Sequence, residues 1–317
     1  MIDYLDEDVA YLLGMLIARG TIYEHQGNYT ITIEIPYSNI EIDDPPYNPK
    51  GDRNALLVSV DKIINRLGGL IGFNPSKNQG DNSVSIVIDI PRRTILIRDI
   101  EMLLKDKKDY TEFLIPDEIL KSPINIKKEF MRGFADINGK VRASNDYISG
   151  EHRIYIDILN HNWKLPIQLC KFLQKDLNIP VQSLTWGHPN LRNKINEKWT
   201  KREHQIKIFN NDFESIGFYI EHKNTKSIEF AEENKSRGYS SRFCDPLIRM
   251  QRRRKKKDAH IDENNEDLPE ELRGKHYDAG WQICKDLGCN EFNRQSSIEN
   301  HIESKKKRKK KEKDSNE

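Results

Sequence analysis

The chain has 317 residues, 36% hydrophobic and 32% charged, and its 52 Lys and Arg against 50 Asp and Glu leave a net charge of +2. No apolar run approaches the roughly 20 residues of a membrane span, and the acidic start, Asp3 to Asp8, lacks the basic flank of a secretory signal. With only Cys170, Cys244, Cys284 and Cys289, the chain also lacks a disulfide framework, so an intracellular protein is expected, in cytoplasm or nucleoid, or in the nucleus if the host is eukaryotic.

The small net charge hides a gradient. Residues 1–120 carry 12 basic and 20 acidic side chains, residues 121–250 carry 22 and 15, and the remainder 18 and 15. An anionic partner would favour the middle and end of the chain.

In chain order, YLLGMLIARG at 11–20 reads as a buried helix that Asp6 or Asp8 can cap. TIYEH and YTITIEI alternate strictly around Gln26-Gly27-Asn28, which predicts a β-hairpin. A loop with three prolines covers 41–53. An amphipathic helix follows over about 54–67, closed by Gly68-Gly69, then a strand, SVSIVIDI, and a helix over about 93–105. The order then repeats: FMRGFADING at 130–139, an alternating pair KVRAS and RIYIDIL, a helix at 163–177, the strand HQIKIF and a helix over 211–221. Gly133 and Gly139 are spaced as Gly14 and Gly20 are, 119 residues further on, so the unit reads as an internal duplication. The expected organisation is a first half at 1–120, a second at 121–225, and a charged extension at 226–317 with a short ordered piece near 268–292. Its RRRKKK and KKKRKKK runs suit non-specific phosphate affinity.

LLGMLIARG at 12–20 and MRGFADING at 131–139 resemble the paired signature helices of the LAGLIDADG homing endonucleases, and the linker FLIPDEILKSPINIKKEF is similar to that family's approach to its second motif. The resemblance covers about residues 8–225. It implies an α+β fold of two pseudo-symmetric αββαββα halves, packed through the motif helices, whose antiparallel sheets form a saddle over duplex DNA. A two-stranded ribbon fits the major groove, where base edges are distinguishable. Under this reading the exposed sheet face offers Thr21, Tyr23, Thr30, Thr32 and Glu34 from the first half. The second half offers Lys140, Arg142, Ser144, Arg153, Tyr155 and Asp157. Arg142 and Arg153 suit guanine, while Lys140, Lys164, Lys198, Lys201 and Arg202 suit phosphate.

Cleavage in that family uses an acidic residue from each motif, just before the closing glycine, to hold Mg²⁺ or a similar cation. Here those positions are Arg19 and Asn138. Arg19 has no acceptor atom, and Asn138 keeps a carbonyl oxygen without the charge. Asp136, two residues earlier, should point roughly 200° away from Asn138 on a helix, so it is a weak substitute. Glu24 and Glu34 lie on the neighbouring hairpin. Arg19 could instead bind a phosphate as a fixed cation, or pair with a carboxylate such as Asp136.

The expectation is a sequence-specific double-stranded-DNA-binding protein, monomeric, with cleavage lost or impaired. Alternatives are a divalent-metal-dependent endonuclease, with Mg²⁺ and a partner subunit, an RNA maturase-type splicing factor, or a protein-interaction scaffold. Cys284, Cys289 and His276 fit no common zinc spacing, and no phosphate loop, dinucleotide fingerprint or nucleophile elbow occurs.

Overall fold

The structure is a computed structural model that describes residues 5–250 other than 26, 41, 43–48, 72–74, 144–151, 160–161, 163, 189–202 and 239–248. Ser144, Lys198, Lys201, Arg202 and everything expected of 251–317 lie outside the described residues.

The first unit runs α1 (Glu7–Arg19), β1 (Gly20–His25), β2 (Asn28–Pro36), α2 (Pro49–Ile71), β3 (Ser76–Gln79), β4 (Ser83–Pro91) and α3 (Ile95–Leu103). A linker containing α4 (Asp117–Lys121) leads to the second: α5 (Ile124–Asn138), β5 (Gly139–Arg142), β6 (Arg153–Leu159), α6 (Lys164–Lys171), β7 (Ser183–His188), β8 (Glu203–Phe209) and α7 (Asn210–Phe213). α8 (Glu221–Ser236) and β9 (Arg249–Met250) follow. Both units therefore have the αββαββα order, and the fold is α+β.

The sheets share one plan. β1-β2-β4-β3 and β5-β6-β8-β7 are antiparallel, with β9 added to the second sheet alongside β7 in parallel, a pairing that the sequence reading did not include. Gly20 pairs with Ile33 and Gly139 with Ile156, so the two hairpins keep the same register behind their motif helices. Ile31, Ile33 and Ile35, like Ile154, Ile156 and Ile158, are buried against the helices, which leaves the alternate positions on the outer face.

α1 and α5 cross at the centre of the molecule. A Cβ on Gly14 would collide with the carbonyl oxygen of Phe130, and one on Gly133 would collide with that of Tyr11. Since Tyr11 and Phe130 are themselves 119 residues apart, the two collisions are the same contact seen from each half. Only glycine allows the backbones this close. Asp6 caps α1 through Val9 N (2.8 Å), satisfying a donor at the helix start.

Several sequence expectations shift. α2 runs through Gly68-Gly69 because both residues stay helical and neither adopts the positive φ of a terminating glycine. The helix expected over 163–177 changes to a π turn at Phe172–Asp176. The helix expected over 211–221 stops at Phe213, and Gly217, at φ +63°, turns the chain into α8. α8 crosses residue 225, where the alternating pattern fades, and it packs on both halves. Its Lys223 Nζ donates to the Ala135 and Asp136 carbonyls (3.0 and 2.8 Å) at the end of α5. Its Glu221 amide donates to Ser59 Oγ of α2 (3.3 Å). Strands β3 and β7 were not anticipated, since SKNQ and SLTWGH lack clean alternation.

Candidate nucleic-acid interface

The two positions before the closing glycines meet. Arg19 Nε donates to Asn138 Oδ1 (3.1 Å), and Asn138 Nδ2 donates to the Ala18 carbonyl (3.1 Å). The helices deliver these side chains to one another because each motif ends at the same height beside the central crossing. Asn138 is buried and Arg19 half-buried. A cavity of about 10 Å³, room for about one water, lies here among Arg19, Tyr110, Asn138, Asp157 and Asn162. Burial raises the Tyr110 phenol, with Asp109 and Glu34 adding to the shift and the Arg19 charge opposing it.

This donor set does not suit Mg²⁺. Arg19 supplies a positive charge where the ion would need an anion, and the Asn138 oxygen already accepts from Arg19. Asp157 lines the same cavity but is held by Lys140 Nζ (2.6 Å) and by Gln205 Nε2 (2.8 Å). Among the described residues, no group of three His, Cys, Asp or Glu side chains is placed to hold a metal ion.

Asp136 faces away from this foot, as the helical turn requires. It is fully buried and accepts from Tyr11 Oη (2.7 Å), from the Tyr219 amide (3.1 Å) and from the Ile220 amide (3.2 Å). Burial pushes its carboxyl up, against the pull of Lys223, and burial pushes the Lys223 amine down. Asp136 is thus a structural anchor between α1, α5 and the entry to α8. The Arg19–Asp136 pairing considered from sequence does not form; Arg19 turns to Asn138 instead. Glu24 is engaged at the far end of the hairpin by Arg92 (2.9 Å).

On the outer face of the first sheet, Tyr23 is 61% exposed, Thr21, Thr30 and Thr32 are half-buried, and Thr30 Oγ1 donates to Asp89 Oδ1 (2.6 Å). The register adds Ser85, Val87 and Asp89 from β4 and Ser76 and Asn78 from β3 to this face. It carries the acids Glu34 and Asp89 and no Lys or Arg among its strand positions.

The second sheet differs. In register with one another on its outer face are Lys140, Arg142, Arg153, Tyr155 and Asp157, with Lys207 and Gln205 from β8 beyond them. The Arg142 guanidinium and the Lys207 amine both lie 5.0 Å from the Tyr155 ring centre. Lys140 and Arg153 are less available than the sequence suggested, at 6% and 3% exposure. Lys140 is committed to Asp157, and the Arg153 guanidinium lies 5.1 Å from the Phe209 ring centre. Lys164 opens α6 and is exposed. Sequence reasoning stopped at the hairpins and missed Lys207 and Gln205. The signal was present in HQIKIF, whose alternation puts both on the polar side of a third strand.

No family model matches the sequence, and no curated protein matches it. Among solved structures, the chain is similar to I-DmoI in complex with DNA and Ca, at 12% identity over 68% of this chain and 91% of that one, with a TM-score of 0.39. It is similar to the LAGLIDADG meganuclease I-CpaMI bound to uncleaved DNA at 12% identity, covering 72% and 92% of the two chains, with a TM-score of 0.38. It is also similar to full-length DUF199/WhiA from Thermatoga maritima at 12% identity, covering 76% and 64%, with a TM-score of 0.41.

Proposed function

We propose that this chain is a site-specific double-stranded-DNA-binding protein whose paired halves form a saddle over the duplex and which does not cut it. The observation that carries the reading is the Arg19–Asn138 hydrogen bond. At the junction of two sheets whose outer faces are polar, the positions that the LAGLIDADG resemblance assigns to acids hold a cation and an amide joined to each other. A half-buried guanidinium there suits a backbone phosphate better than a metal ion. The strands on either side offer hydroxyl, amide, aromatic and cationic groups of the kinds that contact base edges and phosphates.

The test is selection from a randomised duplex pool with the full chain, followed by incubation of the enriched duplex with Mg²⁺ or Mn²⁺. Enrichment of one long site that remains intact is the expected result. Specific strand scission, abolished by a chelator, would overturn the non-cutting reading, and absence of any enrichment would overturn DNA binding itself.

A further inference from the structure

The Arg19–Asn138 hydrogen bond holds one nitrogen of the guanidinium and leaves the rest of its donors facing outward from the helix foot. Resting on the DNA-binding reading above, we infer that this foot seats a single backbone phosphate at the middle of the bound duplex. The Arg19 Nη atoms and the Tyr110 hydroxyl form the seat, and Asn138 positions the guanidinium.

The hydrogen bonds at the foot decide which donors remain. Asn138 Nδ2 donates to the Ala18 carbonyl (3.1 Å), which fixes the amide so that Oδ1 faces Arg19 and accepts from Nε (3.1 Å). A guanidinium is a rigid planar fork, so holding Nε also sets the plane of both Nη atoms. Among the described residues, neither Nη atom has a hydrogen-bond or ion-pair partner, and the Tyr110 hydroxyl has no hydrogen-bond partner either. The other polar groups of the shared cavity are engaged. Asn162 Nδ2 donates to the Tyr110 and Phe113 carbonyls (3.2 and 2.6 Å), and Asp157 is held by Lys140 and Gln205. The cavity, about 10 Å³, admits about one water and so one phosphate oxygen.

Topology places this seat at the middle of the saddle. β1 begins at Gly20 and β5 at Gly139, and each stands at one end of its sheet's strand order. The foot therefore lies between the two sheets, and a duplex crossing both outer faces passes over it. Lys140 and Asp157 neutralise one another there, which leaves the guanidinium as the uncompensated charge in the cavity lining. Glu34 and Asp109 act on the Tyr110 phenol, but neither forms an ion pair with Arg19. A phosphodiester matches these donors better than a base edge does, because its anionic oxygens accept the two-pronged contact that a guanidinium offers. Lysine at position 19 would lack both the Nε that Asn138 holds and the fork beyond it.

The experiment uses the full chain and the duplex enriched from the randomised pool, with neutral methylphosphonate linkages introduced one at a time. One linkage near the middle of the site should lower affinity by roughly tenfold, and Arg19→Gln should abolish the sensitivity to that linkage alone. Arg19→Gln should also lower the steepness of log K against log salt by about 0.9. Asn138→Asp keeps the guanidinium but pairs it with a carboxylate, so the slope should fall by a similar amount. Asn138→Ala frees the fork without removing its charge, so affinity should drop severalfold at an unchanged slope. Tyr110→Phe, nearly isosteric, should weaken binding severalfold and leave the sensitive linkage where it was. Circular dichroism on each variant separates a binding defect from a folding defect. A folded Asn138→Asp variant with the original slope overturns the positioning role. Sensitivity spread evenly along the duplex in the unaltered protein, or a central sensitivity that persists in folded Arg19→Gln, overturns the seat while leaving DNA binding standing. Failure of the unaltered protein to bind any duplex overturns both.

Discussion

The two sheets are built to one register and carry different charge. Behind each motif helix, the buried isoleucines fix which residues face inward, and slipping by one position would expose all of them. The outer face is under no such constraint. There Thr21 occupies the place of Lys140, and Glu34 that of Asp157, which has a lysine partner in the second half. The same divergence reaches the central helices, where Ile17 and Asp136 occupy equivalent positions 119 residues apart. One is packed in the apolar core; the other ties three elements together by hydrogen bonds. Duplicated halves thus keep what register and packing require and diverge where they do not.

The largest effect should come from breaking this last pair unevenly. Asp136→Ala removes the acceptor for Tyr11 Oη and for the Tyr219 and Ile220 amides, and at about 1–3 kcal/mol for each buried donor left unsatisfied a loss of about 3–5 kcal/mol is expected in urea unfolding. Ile17→Val at the equivalent position should cost only about 0.5–1.5 kcal/mol. Equal costs would show that Asp136 behaves as filler, not anchor.

Glycine position sharpens the contrast next. Gly14→Ala pushes a methyl group into the Phe130 carbonyl and should destabilise by about 1–3 kcal/mol, outweighing the usual helical gain. Gly69→Ala, in α2 with open space around the added methyl, should instead stabilise by about 0.5–1 kcal/mol. Matching signs in thermal melts would contradict the close crossing.

The smallest effect is one of pH. His222 on α8 donates from Nε2 to the Ile40 carbonyl (3.4 Å), and burial, helped by Lys223, lowers its pKa to about 4. The unfolded chain takes up this proton near pH 6.5, so the folded state binds fewer protons between about 6.5 and 4 and loses stability as pH falls through that window. His222→Gln should flatten that part of a Tm-versus-pH curve by a few degrees, and an unchanged curve would remove His222 as a contributor.

The sequence carried the duplication, the hairpins, the motif helices and the identity of the two residues at their feet, because glycine spacing and strict alternation are local signals. It did not carry the partner of Arg19, because the choice between Asp136 and Asn138 depends on how two helices rotate against each other. Lys140 and Arg153 look like free surface cations in one dimension, yet cross-strand neighbours and ring contacts bury both. The break at Gly217 was readable as a glycine but not as the start of α8, whose sequence has almost no apolar periodicity and whose place is set by contacts such as Lys223 with the end of α5.

The Gly14–Gly133 crossing also bears on the order of folding. Its two sides are separated by 119 residues, so this close backbone approach can form only after a long loop closes. Each hairpin can form from neighbours in the chain, whereas the seam depends on both helices being present and correctly turned. Such non-local contacts slow folding, and a chain caught beforehand would show the apolar flanks of α1 and α5 to whatever else is in solution. Ribosomal synthesis exposes the first of those flanks long before the second has been made.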